Sequence, residues 1–151
     1  MSAFGIAVNE ACVCVFKEGA TKEESLNRLS EAVAGSGAVK DVESVRRALR
    51  DHEPGGSAIG RGVAIPHVFI EGVEQPAIAV GVSRAGIDFA LPDHSLVTLI
   101  VLFVMPAGSN KQYLSLLAQL MVALKTPNFL SRLTACQAPP DVVAILNESS
   151  G

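Results

Sequence analysis

No stretch of this 151-residue chain stays apolar for long enough to cross a bilayer. The longest apolar run, 96–105, contains Thr98 and stops at Pro106, about half of the roughly 20 residues a spanning helix needs. Direct membrane insertion is therefore excluded. No basic region precedes the apolar residues near the N-terminus, so a secretory signal is not expected. Basic clusters are missing too. With 12 basic against 15 acidic residues, the charge pattern disfavours a nucleic-acid partner. Cysteine is scarce: the three present cannot all pair. Cys12 and Cys14 alternate along an expected strand and so face the same way. They read as reduced core thiols of a cytoplasmic protein.

Several chemical signatures are absent as well. There is no His-Glu-x-x-His and no clustered Cys/His set for zinc. A Gly-x-Ser-x-Gly elbow is missing. The one glycine-rich loop lacks a Walker lysine and dinucleotide-turn spacing, and no helix is expected after it. Neither a metal nor another cofactor is expected.

What is present is apolar for a soluble chain: 49% hydrophobic residues and a mean hydropathy of +0.38. The length suits one domain, 1–151, with a substantial core. Residues 11–16 read as a first strand. Thr21-Lys22-Glu23-Glu24 is a capping box that opens a helix carrying Leu26, Leu29, Ala32 and Val33, closed by Gly35-Ser36-Gly37. Asp41 caps a second helix, with Val42, Val45 and Leu49 on one face and Arg46, Arg47 and Arg50 solvated on the other. The stretch 51–62 is long, non-periodic and rich in glycine, a pattern more often functional than idle. Residues 76–82 form a strand, followed by a turn at Ala85-Gly86 and the segment Ile87-Asp88-Phe89. After the turn Pro92-Asp93-His94-Ser95 comes the most apolar strand, 96–104, which belongs in the middle of a covered sheet.

Ser109-Asn110-Lys111-Gln112 is a second capping box. It opens a helix to about Lys125, with Leu114, Leu117, Ala118, Met121 and Leu124 inward and Leu116 and Leu120 widening that face. Thr126-Pro127 starts a further helix bearing Leu130 and Leu133, and 141–147 forms a last one. The order βααβββααα gives an α/β fold, a mixed β-sheet flanked by helices on both faces, with no internal repeat.

The centre of the sequence is Gly60-Arg61-Gly62-Val63-Ala64-Ile65-Pro66-His67. A glycine-bracketed turn leads into a short buried strand that proline ends, which leaves His67 at a strand end. The other histidines carry less. His94 lies in a polar turn, and His52 sits between two acidic residues in the glycine loop. Ser57 would be a nucleophile only within reach of His67, which spacing does not decide.

The run Ala58-Ile59-Gly60-Arg61-Gly62-Val63-Ala64-Ile65-Pro66-His67 resembles the signature of the fructose/mannitol/nitrogen-type (type 2) enzyme IIA domains of the bacterial phosphotransferase system. The likeness extends through 76–82, Gly86-Ile87-Asp88-Phe89, 97–106 and Leu114-Ser115-Leu116-Leu117-Ala118, and covers about 8–147. It implies a phosphotransferase/anion-transporter-like three-layer sandwich. It also implies that His67 accepts a phosphoryl group from the phosphohistidine of a phosphocarrier protein. Onward partners would be enzyme IIB, a transporter or a regulatory protein. Phosphoryl oxygens would be held by Arg61, Ser57 and Arg50.

Three positions depart from the family. Tyr113 stands where a second histidine is usual; it can donate a hydrogen bond but cannot supply a cationic imidazolium. It falls in the first turn of the helix opened by Ser109, whose amide end favours an anion. Val68 stands where glycine is common and would crowd the partner's approach or restrict the backbone. The Arg-Glu pair before the loop is blurred into Arg50-Asp51-His52-Glu53. Arg61, where asparagine is common, either supplies positive charge or points to solvent. Without a recognisable enzyme IIB or membrane portion, the resemblance favours a cytoplasmic nitrogen-regulatory type over a sugar-specific one. The alternative is a module with the same fold that binds a transporter or signalling protein without being phosphorylated. The apolar strands also suggest a homo-oligomer.

Overall fold

The computed structural model describes residues 10–17, 20–35, 37, 39, 41–52, 58–91 and 93–148. The loop 53–57, with Glu53 and Ser57, lies outside them, as do Ser36 and Pro92 of two expected turns. Among the described residues, six strands and five α-helices follow one another: β1 (Val13–Phe16), α1 (Lys22–Gly35), α2 (Val42–His52), β2 (Ala58–Gly60), β3 (Val63–Ala64), β4 (His67–Ile70), β5 (Ala77–Asp88), β6 (Leu96–Pro106), α3 (Asn110–Lys125), α4 (Phe129–Thr134) and α5 (Pro139–Glu148).

The sheet order is β1-β5-β6-β3-β2, with β4 also paired to β6. β1 runs parallel to β5, and β3 and β4 run parallel to β6, whereas β5–β6 and β2–β3 are antiparallel. The sheet is mixed, as the irregular element order implied. β6 is central because its side chains are apolar in both directions. Leu99, Val101, Phe103 and Met105 join a core with residues of α3, α4 and α5. Ile100, Leu102 and Val104 join a second core with residues of α1 and α2. Helices therefore cover both faces, as expected.

Local signals were mostly obeyed. Thr21 Oγ1 accepts from the Glu24 amide at 3.0 Å, and the Glu24 carboxylate accepts from the Thr21 amide at 2.9 Å, so each satisfies the other's free donor. Asp41 accepts from the Glu43 amide at 3.0 Å. The thiols of Cys12 and Cys14 each lie 4.0 Å from an α1 carbonyl, those of Ala32 and Arg28, but Cys12 precedes the strand and joins the core with α3, α4 and α5, whereas Cys14 packs against the core with α1 and α2.

Six further expectations need correction. Glu10–Cys12 is a 3₁₀ turn, so the first strand begins only at Val13. Arg46 is not solvated: it ties α2 to α1 through Glu31 at 3.0 Å and through Asn27 Oδ1, and it also pairs with Glu43 at 2.5 Å. Ala85-Gly86 does not end a strand. β5 runs through it with a register shift between Val82 and Ile87. Gly86 sits there at φ +90°, where an added Cβ would lie 2.6 Å from that of Leu96; only glycine fits so close an approach.

Ser109 does precede α3, but its hydroxyl donates to the Pro106 carbonyl at 2.7 Å instead of capping. α3 is also rotated from the expected face: it buries Tyr113, Leu116, Leu120 and Ala123 and exposes Leu114, Met121 and Val122. Finally, Thr126 caps the C-terminus of α3, and α4 starts after Asn128 rather than at Pro127.

Candidate functional site

Proline 66 makes the site. It lacks an amide hydrogen and so breaks the ladder, yet the chain resumes pairing at once. Val63 and Ala64 lie opposite Leu99 and Ile100, and His67 lies opposite Phe103. Pro66 keeps the register by accepting from the Phe103 amide at 3.0 Å. His67 thus begins β4 beside the central strand instead of closing β3. Ile65, outside both strands, offers its carbonyl to His67 Nδ1 at 3.2 Å.

Strand alternation sorts the neighbours. His67 and Phe69 lie on the α3 side, with Phe69 packed against the core there. Val68, 2% exposed, packs into the opposite core with Val45 and Leu49 of α2. Its side chain does not stand in a partner's path to the exposed imidazole.

Tyr113 comes to His67 from α3, 46 residues along the chain. Its hydroxyl lies 3.2 Å from Nδ1, and the rings stack with centroids 4.6 Å apart at 22°. Phe69 and Phe103 hold the phenol edge-on at 5.8 and 5.5 Å, a favourable geometry for aromatic pairs. Tyr113 is only 8% exposed, and burial pushes its phenol above the ordinary value. It is therefore a neutral hydroxyl at physiological pH.

Two groups meet one ring nitrogen, and the part each plays follows its tautomer. A bare Nδ1 would set its lone pair against the Ile65 carbonyl oxygen at 3.2 Å. A protonated Nδ1 donates there instead. Nε2 then carries the free lone pair on an exposed ring, and the proton of the Tyr113 hydroxyl is left for another acceptor.

Tyr113 is the fourth residue of α3, and its own amide is taken by the Ser109 carbonyl at 3.0 Å. The free amides of the helix start belong to the residues before it. Because the Ser109 side chain makes no capping bond, that amide end stays available to an anion.

The other expected site residues are placed differently. Arg61 sits exposed in the β2–β3 turn at φ 58°. That turn is anchored where Gly62 O accepts from the Thr98 amide at 2.7 Å, about 17 Å along β6 from Phe103 at 3.3–3.4 Å per residue. Arg50 is exposed on α2, on the other side of the sheet, and lines a cavity of about 650 Å³ floored by Leu26 and Leu49. Among the described residues, neither forms a hydrogen bond or ion pair with His67, whose bonds go to Ile65 and Tyr113. Ser57 is outside the described residues. His52 ends α2, and His94 is exposed in the turn before β6.

The Ile65 carbonyl, Phe69 and Phe103 were missed in the sequence. Phe69 carried a signal, two residues from His67 on one strand face. Phe103 carried none, because its place depends on the β4–β6 register.

This fold is shared with solved structures. The nitrogen regulatory protein IIA-Ntr of Neisseria meningitidis superposes with a TM-score of 0.79 at 24% identity, over 93% of this chain and 97% of that one. Residues 7–149 match the family described as "Phosphoenolpyruvate-dependent sugar phosphotransferase system, EIIA 2", and the chain belongs to that family.

Among relatives, the fructose-specific EIIA component of Haloferax volcanii is 28% identical over 85% of this chain and 84% of its own length. A nitrogen regulatory protein of Pseudomonas aeruginosa is 28% identical over 76% and 75%. The fructose-specific EIIABC component of Bacillus subtilis is 26% identical over 87% of this chain, which spans only 21% of that protein. Members of this family are components of phosphoryl transfer. Among the described residues, no helix is long and apolar enough to cross a membrane.

Proposed function

We infer that His67 accepts a phosphoryl group from the phosphohistidine of a phosphocarrier protein. The observation that carries this reading is the imidazole held at Nδ1 by the Ile65 carbonyl, with Nε2 free. The Nε2 lone pair attacks phosphorus, the donor's N–P bond breaks, and the donor imidazole leaves with that electron pair. No proton has to move. The phosphorylated ring gains positive character, which the Ile65 carbonyl stabilises at Nδ1–H. The Tyr113 hydroxyl and the amide end of α3 stabilise the phosphoryl oxygens. Alignment and charge stabilisation account for most of such a reaction.

The chain acts as a regulatory, nitrogen-type component rather than a sugar-specific one. Tyr113 supports this reading. A neutral hydroxyl lowers the transfer barrier less than a cationic imidazolium, which suits a phosphoryl group held as a signal better than one passed on in flux. Onward recipients would be an enzyme IIB or a regulatory target in the cytoplasm.

The test is intact mass after incubation with phosphoenolpyruvate, enzyme I and the phosphocarrier protein, beside a His67→Ala control. One acid-labile phosphoryl group that vanishes in H67A is expected. No gain, while a control enzyme IIA labels normally, would sink the reading and leave a module that binds without being phosphorylated.

A further inference from the structure

Tyr113 meets His67 with more than its hydroxyl. The two rings lie with centroids 4.6 Å apart and planes 22° from parallel, so the face of the phenol covers a face of the imidazole. An aromatic face is electron-rich and attracts a cation within about 6 Å of its centre. The attraction grows where water is kept out, and Tyr113 is buried.

Both rings are held in place by separate parts of the fold. Phe103 of β6 and Phe69 of β4 meet the phenol at 5.5 and 5.8 Å, with interplanar angles of 80° and 84°. Tyr113 also shares a core with Leu116 and Leu120 of its own helix. His67 is fixed by its pairing with β6 and by the Ile65 carbonyl at Nδ1. The stacked contact therefore exists before any charge appears on the imidazole.

Charge decides when the contact matters. A neutral imidazole gains only ordinary stacking from the phenol. With a phosphoryl group on Nε2 and the proton on Nδ1, the ring is a cation. Hydrolysis removes that charge. Water oxygen bonds to phosphorus, the Nε2–P bond breaks with its electron pair returning to Nε2, and neutral imidazole and dihydrogen phosphate result. The phenol face thus favours the phosphorylated ring over the transition state, in which the positive charge is already fading.

We propose that the aromatic face of Tyr113, separately from its hydroxyl, prolongs the life of a phosphoryl group on His67 through a cation–π contact with the phosphorylated imidazole. The inference rests on the phosphoacceptor reading of His67 and adds a clock to it: the stacked ring sets how long the modified state lasts.

Ring and hydroxyl are separated by comparing Y113F with Y113L, since both lack the hydroxyl and only Y113F keeps the face. Each is phosphorylated with phosphoramidate, which loses ammonia as its phosphoryl group moves, or through phosphoenolpyruvate, enzyme I and the phosphocarrier protein. After the donor is removed, intact mass follows phosphoryl loss, and H67A subtracts label carried elsewhere. Y113L is expected to lose phosphoryl about threefold faster than Y113F, or more. A second series separates charge from packing. Phenylalanine with one, two and three ring fluorines at position 113 keeps the shape and drains electron density from the face, so loss should quicken with each fluorine. Circular dichroism confirms that every variant is folded. Equal lifetimes in Y113L and Y113F, or no trend with fluorine, overturn the role of the face and leave His67 a phosphoacceptor. No phosphoryl gain on His67 in the wild-type chain from either donor sinks the phosphoacceptor reading and this inference with it.

Discussion

The hydroxyl of Tyr113 lies 3.2 Å from Nδ1 of His67, and the Ile65 carbonyl lies at the same distance from the same nitrogen. One proton cannot serve both fully. When Nδ1 carries the proton and gives it to the carbonyl, the phenol proton is free for an incoming oxygen anion. Burial keeps Tyr113 a neutral donor at physiological pH.

Removing that donor tests its role. Y113F keeps the ring among Phe69 and Phe103 and deletes only the hydroxyl. A lost hydrogen bond to a charged oxygen should slow phosphorylation of His67 about tenfold or more, with little change in thermal stability. Rapid-quench measurement of the phosphorylated fraction reads the rate. An unchanged rate would show that the hydroxyl takes no part.

Tyr113 is the one tyrosine in a chain without tryptophan, so its spectrum reports the site directly. Phosphorylation of His67 should change tyrosine emission, and H67A should abolish that change. Burial raises the phenol's pKa in the fold. Its stabilising contribution is therefore complete below the unfolded value near 10 and is lost as pH rises through the folded value. Alkaline unfolding followed by tyrosinate absorbance should show this, and Y113F should unfold less steeply with pH above about 10.

Val68 belongs to the core on the α1–α2 side, and restoring the family's glycine should cost stability. V68G removes a buried side chain and loosens the backbone, a loss of about 2–4 kcal/mol by urea denaturation. Transfer to His67 should not become faster. A faster V68G would mean that the valine obstructs the partner after all.

At the start of α1, the Glu24 carboxylate accepts from the backbone and side chain of Thr21, which lowers its pKa below the ordinary 4.5. The group is depressed in the folded state, so its contribution is present above that value and disappears as pH falls through the folded pKa. Wild type and E24Q should differ in melting temperature at neutral pH and converge in acid. A difference that persists unchanged in acid would rule out the carboxylate as its source.

Much of this protein is local and therefore legible in its sequence. Thr21 and Glu24 are three residues apart and meet wherever a helix starts there. Pro66 breaks any ladder because it has no amide hydrogen, so the interruption beside His67 follows from one residue. The double-sided apolarity of β6 demanded a covered, central position, and it holds one.

Three things were settled only by the tertiary structure. Leu114, Leu117, Met121 and Leu124 form as good an apolar stripe as Tyr113, Leu116, Leu120 and Ala123. Periodicity could not choose the buried face of α3; packing against β6 chose it. The register that sets His67 opposite Phe103 joins segments 36 residues apart, and no local preference encodes it. Tyr113 reaches His67 across 46 residues, through the docking of a helix on a sheet. The sequence determined which side chains could do the chemistry, because those choices rest on residue type and near neighbours. Which of them meet was decided by long-range packing, which alone placed Tyr113 at the histidine.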